Sequence, residues 1–184
     1  MRRTLGARLD AVRALAAAAH VDAAVRRRHA QQARPFAPRR PPEELYDCLQ
    51  DPLNLKNLAY SLEHETTVAQ MREQLHRHMI ESGDLGLVPE IELWRKAETM
   101  PPMQWKMTDG FQPEKILATA ELVGNDDNVT IAKRLADRDP AIRYWAVVAC
   151  TAADQLPEKM VKRLRAMFGD ASESVAIEAA NAVA

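Results

Sequence analysis

Two stretches in the C-terminal half of the chain repeat each other at a fixed distance. Ile142, Ala146 and Ala149 fall on one helical face, and Val175, Ala179 and Ala182 repeat that face 33 residues later. Ile131 and Leu135 of the preceding segment recur at the same offset as Leu164 and Phe168, and Asp137 recurs as Asp170. A period shared by both helices of a pair marks an α-solenoid, in which each pair buries its apolar face only against its neighbours. Such arrays need polar end caps. The last stripe, Ile177 to Ala184, has none after it, so a truncated array is expected.

Helix signals support the same reading. Pro113 opens a helix running through Val123 and closed by Gly124, and Val129 to Asp137 forms the next. Asp139-Pro140 supplies an N-cap and a first-turn proline for a helix to about Ala152. Pro157 opens another through Phe168, and a last one begins near Ser174. Further upstream, Val68, Met71, Leu75 and Met79 line one face of a helix over 62–82, which Gly83 is placed to end. Pro101-Pro102 interrupts 91–112, which reads as an extended, packed connector whose Trp94, Trp105 and Phe111 are core or interdomain residues.

Leu45 and Tyr46 in Pro41-Pro42-Glu43-Glu44-Leu45-Tyr46-Asp47 suit a short strand, followed by a turn at Asp51-Pro52-Leu53-Asn54 and then Asn57-Leu58. This run resembles the C-terminal signature of the type I sulfatase family, an E-E-L-Y-D-L strand followed by a D-P-x-x-x-x-N-L loop. Gly83-Asp84-Leu85-Gly86-Leu87-Val88-Pro89-Glu90 is similar to the G-D-L-G-L-[IV]-P-E turn of members that continue into helical repeats. Pro35-Phe36-Ala37-Pro38 resembles a segment preceding the family's strand. Asp137-Arg138-Asp139-Pro140-Ala141-Ile142-Arg143 through Ala146 is similar to the HEAT-repeat pattern D-x-D-P-x-V-R-x-x-A. The copy from Asp170 lacks the proline and has Ala176 in place of the arginine.

The expected fold is therefore mainly α: a remnant of the sulfatase C-terminal subdomain, one short strand plus a long helix, followed by HEAT-like α-solenoid helix pairs. Residues 1–40 form a basic helical segment, 41–90 the partial subdomain, 91–112 the connector and 113–184 the repeats. Since a lone strand is not stable by itself, Glu44 to Cys48 should lie loose, pair with another chain or require a missing domain.

The resemblance implies that complete relatives hydrolyse sulfate esters or N-sulfated sugars with a formylglycine and a divalent cation, usually calcium. The formylglycine derives from a C-x-P-S-R or S-x-P-S-R motif, which activates an oxygen nucleophile beside the charge-neutralising metal. Neither Cys48, followed by Leu49-Gln50-Asp51, nor Cys150, followed by Thr151-Ala152-Ala153, supplies that motif. Both read as structural, Cys48 as a small buried apolar residue.

Asn125-Asp126-Asp127-Asn128 resembles neither metal-binding motif of the family and reads as helix caps. His76 and His78 project about 200° apart on a helix, so with His64 they make no metal site. No catalytic, cofactor-binding or metal residue is expected in this chain, which should be inactive alone. The implied partner is an upstream catalytic domain.

A different reading is a non-catalytic HEAT-repeat module that binds a protein on its helical repeats. Nucleic-acid binding is a third. Residues 1–40 carry ten arginines, Arg26-Arg27-Arg28 among them, against Asp10 and Asp22, whereas the remainder carries 15 Lys and Arg against 24 Asp and Glu. That acidic remainder disfavours nucleic acid. Asp10 and Arg13 interrupt the Ala-rich start, against a secretory leader, and no stretch has transmembrane length. With two cysteines and no C-x-x-C spacing, neither a disulfide scaffold nor the compartment follows.

Overall fold

The computed structural model describes residues 41–184, so the segment 1–40, with Arg26 to Arg28 and Pro35 to Pro38, lies outside the described residues. The chain divides into two compact units, Met1–Met71 and Arg72–Ala184. Described residues are mainly helical. In order these helices are α1 (Glu65–Ser82, preceded by a 3-10 turn at Leu62–His64), α2 (Glu90–Ala97) and α3 (Pro102–Trp105). Then come α4 (Pro113–Ala120), α5 (Asn128–Arg134), α6 (Pro140–Thr151), α7 (Glu158–Ala166, continued by a 3-10 turn at Met167–Gly169) and α8 (Glu173–Asn181).

The strand expected at Glu44 to Cys48 does not form, and no strand is present among the described residues. A strand needs a neighbouring backbone to pair with. Here a side chain does that work: the Asn57 carboxamide accepts from Leu45 N–H and donates to the Glu43 carbonyl, both at 3.0 Å. Cys48 is exposed, not buried as expected, because the chain turns at Asp47 and so loses the alternation of a pleated strand.

Helix α1 ends where Gly83 permits it. With φ at +59°, Gly83 donates to Ile80 O at 3.1 Å while Asp84 N–H reaches back to Met79 O at 2.9 Å, the paired bonds of a Schellman ending. No residue of α1 is buried, and Met71 and Leu75 on its apolar stripe are more than half exposed.

In the unit Arg72–Ala184, residues 91–112 are not extended: they form α2 and α3, with Pro102 at the first position of α3, where its missing N–H costs nothing. Trp105 and Phe111 are buried with ring centroids 5.0 Å apart, whereas Trp94 is exposed. These two rings, Val88, Ile116, Ala141 and Ile142 make one core cluster. A second gathers Ile131, Leu135, Ala146, Val147, Met160, Leu164, Val175 and Ala179. Helix α6 contributes to both, its first turn to one cluster and its later turns to the other, and it packs against α4, α5 and α8.

The 33-residue spacing survives in burial except at two positions, one of them Ala149, which is buried while its counterpart Ala182 is only partly so. Ile131 and Leu164, Ile142 and Val175, and Ala146 and Ala179 are all buried. Leu135 is buried but Phe168 is 47% exposed, and Met167 fills the core in its place. The tighter 3-10 turn at Met167–Gly169 advances each residue by more than an α-helical step and rotates Phe168 outward.

Candidate functional site

Two turns of the Arg72–Ala184 unit are built alike. Asp137 accepts from Asp139 N–H at 3.1 Å, and 33 residues later Asp170 accepts from Ser172 N–H at 2.9 Å. Asp139 then caps α6 through Ala141 N–H, and Ser172 caps α8 through Val175 N–H. Each first aspartate also meets a cation from an earlier helix: Lys115 reaches Asp137 at 2.6 Å, and Arg143 grips Asp170.

Arg143 is fully engaged. Its Nε and Nη2 donate to the two Asp170 oxygens at 2.9 and 2.7 Å, and its Nη1 donates to the carbonyls of Asp137 and Arg138. Partial burial pushes the carboxyls of Asp137 and Asp170 up. Hydrogen bonds from Lys115 and the Asp139 N–H to the one, and from Arg143 and the Ser172 N–H to the other, outweigh this and hold both below the usual carboxylate range. Asp139 moves the other way: burial raises it, and the neighbouring Asp137 charge adds to the rise.

The Asp137 turn borders an open groove of about 880 Å³. Val88, Trp105 and Pro140 contribute apolar lining. Arg95, Lys96, Lys115, Lys133 and Arg138 line it as cations, against the carboxylates of Glu92, Asp137 and Asp139. Lys96 Nζ sits 5.2 Å from the Trp105 ring centroid. Glu92, only 5% exposed, accepts from the Ser172 hydroxyl at 2.6 Å, while Arg95 pairs with Glu173 and donates to Ala171 O at 2.9 Å. This side-chain network joins α2 to the start of α8 across about eighty residues.

The residues weighed for chemistry are scattered. Cys150 is buried in α6, and burial pushes its thiol up to about 11, which suits a packing role and opposes a nucleophilic one. His76 pairs with Glu121 at 2.9 Å, while His78 on the same helix is exposed. Asp127 caps α5 through Thr130, whose hydrogen bonds lower its carboxyl, and Asn125 accepts from Asp127 N–H. Among the described residues no three His, Cys, Asp or Glu side chains gather as a metal site, and no helix is long and apolar enough to cross a membrane.

In the unit Met1–Met71, the loop from Asp51 to Leu58 explains its own residue choice. Asp51 accepts from Lys56 N–H at 2.7 Å, Asn54 takes a positive φ of 52°, and Asn57 bonds Leu45, Glu43 and Ala59. Leu58 N–H closes the loop on Leu45 O at 2.8 Å. The sequence reading missed the cap at Ser172 and the groove. The first was signalled by Ser172 standing 33 residues after Asp139, whereas nothing local signalled the second.

The fold defined by these features is a mainly helical one of short packed helices. Over 93 residues, 50% of its length, the chain is 31% identical to an Ulvan-active sulfatase of Formosa agariphila. It spans 14% of that relative's length, so what it shares is a sulfatase-related region. No protein-family model matches the chain, and no solved structure does.

Proposed function

We propose that this chain is the C-terminal, non-catalytic part of a sulfatase-family protein, with HEAT-like helix pairs following a remnant of the sulfatase C-terminal subdomain. The observation that carries it is the similarity to a sulfatase over half the chain. Complete relatives of this kind cleave sulfate esters or N-sulfated sugars with a formylglycine and a divalent cation held elsewhere. The loop held by Asn57 would dock on that catalytic part, where a backbone strand would take over the bonds that the Asn57 side chain now makes.

The test has two arms. The purified chain, given a chromogenic aryl sulfate and calcium, should produce no colour, and sustained turnover would overturn the assignment. A chimera of the Formosa agariphila enzyme carrying this chain's matching residues in place of its own should fold and retain turnover. A chimera that collapses would equally count against it.

The second reading is a HEAT-repeat interaction module, favoured by the recurrent turns at Asp137 and Asp170 and by Arg143 tying one helix pair to the next. It predicts a protein partner retained by residues 113–184 after Asn57 is replaced. The first reading predicts a partner lost with Asn57.

A further inference from the structure

We propose that the basic segment 8–33 of this chain docks on residues 41–71 of its own compact unit, apolar stripe to apolar patch and arginine to carboxylate. The unit Met1–Met71 needs such a contact. Among the described residues 41–71 none is buried, and Tyr60, Leu62 and Met71 stand exposed, Leu62 by 90%. A stretch of 31 residues without a core does not hold a fold by itself. The loop bonds of Asp51 and Asn57 fix its backbone but remove little apolar surface from water.

Charge selects the occupant. Residues 41–71 carry six carboxylates, Glu43, Glu44, Asp47, Asp51, Glu63 and Glu65, against Lys56. Asp47 and Asp51 accept from backbone N–H groups, bonds that bring no positive charge with them. Residues 1–40 carry ten arginines against Asp10 and Asp22, whereas 72–184 are close to balance with 18 acidic and 14 basic side chains. The excess of each sign therefore lies within one unit, on either side of Pro41. Leu9, Val12, Leu15 and Ala16, then Val21, Ala24 and Val25, recur at helical spacing and supply the apolar face that 41–71 needs against it. Seven residues, 34–40, separate the two parts, a tether of at most about 25 Å that keeps the segment at high effective concentration. A second copy offers the same charges without that tether, so the chain's own segment is the favoured occupant.

Cys48 is exposed and Cys150 buried, so a nitroxide attached to the intact chain reports from Cys48 alone. At about 0.1 M salt it should broaden the amide resonances of 8–33 with a helical period. Raising the salt to about 1 M, which cuts the screening length from about 10 Å to about 3 Å, should reduce that broadening. Arg26→Gln/Arg27→Gln/Arg28→Gln should do the same at low salt and speed amide exchange at Val68 to Met71 by about threefold or more, the size expected from losing three exposed ion pairs. Lys162→Gln, in the other unit, should change neither. Broadening that merely decays along the chain from Cys48, whatever the salt or the variant, would overturn the proposal, because an undocked tether behaves that way. So would its absence from 8–33. Broadening in a mixture of nitroxide-bearing chains with isotope-labelled chains lacking the nitroxide would overturn it too, by making a second copy the occupant. The exchange measurement is made without the nitroxide, so a disturbance of the Asp47 turn by the label does not blind the test: unchanged exchange in the triple variant overturns the proposal by itself. Neither measurement involves turnover, so a failed docking and a failed sulfatase assignment give different results.

Discussion

Arg143 and Asp170, 27 residues apart, face each other as two parallel hydrogen bonds, Nε to Oδ2 at 2.9 Å and Nη2 to Oδ1 at 2.7 Å. Both side chains are largely out of water. Replacing Arg143 with Met strands the Asp170 carboxylate and two backbone carbonyls, and should destabilise the chain by about 3–5 kcal/mol. Arg143→Lys keeps the charge but not the fork, and should recover only part of that. Urea denaturation of the three proteins measures both.

Folding favours the charged form of Asp170, whose carboxyl lies below its ordinary value. Its contribution is therefore complete above the unfolded pKa of about 3.9 and is lost as pH falls through the lower folded value. The urea midpoint should drop between about pH 4 and pH 2, and Asp170→Asn should lower the midpoint at neutral pH while flattening that drop. Asp139 is raised instead, so its contribution is present in acid and lost as pH rises through its folded value. Asp139→Asn keeps the cap and removes a disfavoured charge, and should raise the midpoint at pH 7.

Ser172 serves two partners at once, the Glu92 carboxylate and the first turn of α8. Ser172→Ala should cost more than the roughly 1 kcal/mol of a lost cap, because it also leaves Glu92 buried with one acceptor unmet. Glu92→Gln combined with Ser172→Ala should cost less than the two single changes added together. A double-mutant cycle on thermal midpoints reads the coupling, and strict additivity would remove the network from the account.

Asn57 holds the Leu45 segment through its side chain, so Asn57→Ala should speed hydrogen exchange at the Leu45 and Ala59 amides by about tenfold. Asn57→Asp keeps both accepted bonds and loses only the donation to the Glu43 carbonyl, and should fall between. The Lys56 amide, bonded to Asp51, serves as the unchanged reference.

Much of the helical half was legible in the sequence. The caps at Asp139 and Asp127, the stop at Gly83 and the buried faces of α6 and α8 follow from local chemistry, because a cap, a left-handed glycine and an apolar stripe each act within a turn or two of chain. The same locality explains the misses. Leu45 and Tyr46 have strand composition, yet a strand exists only when another backbone lies beside it.

By itself, then, the sequence determined where helices start and stop and which of their faces are apolar. Tertiary structure alone decided that Arg143 meets Asp170, that Glu92 meets Ser172, and that Lys96 and Trp105 border one groove with Asp137. The physical reason is range. Backbone capping is settled between near neighbours, but these pairings join residues that only the packing of separate helices brings within a few ångströms, and no residue in either partner's own stretch encodes where the other will lie.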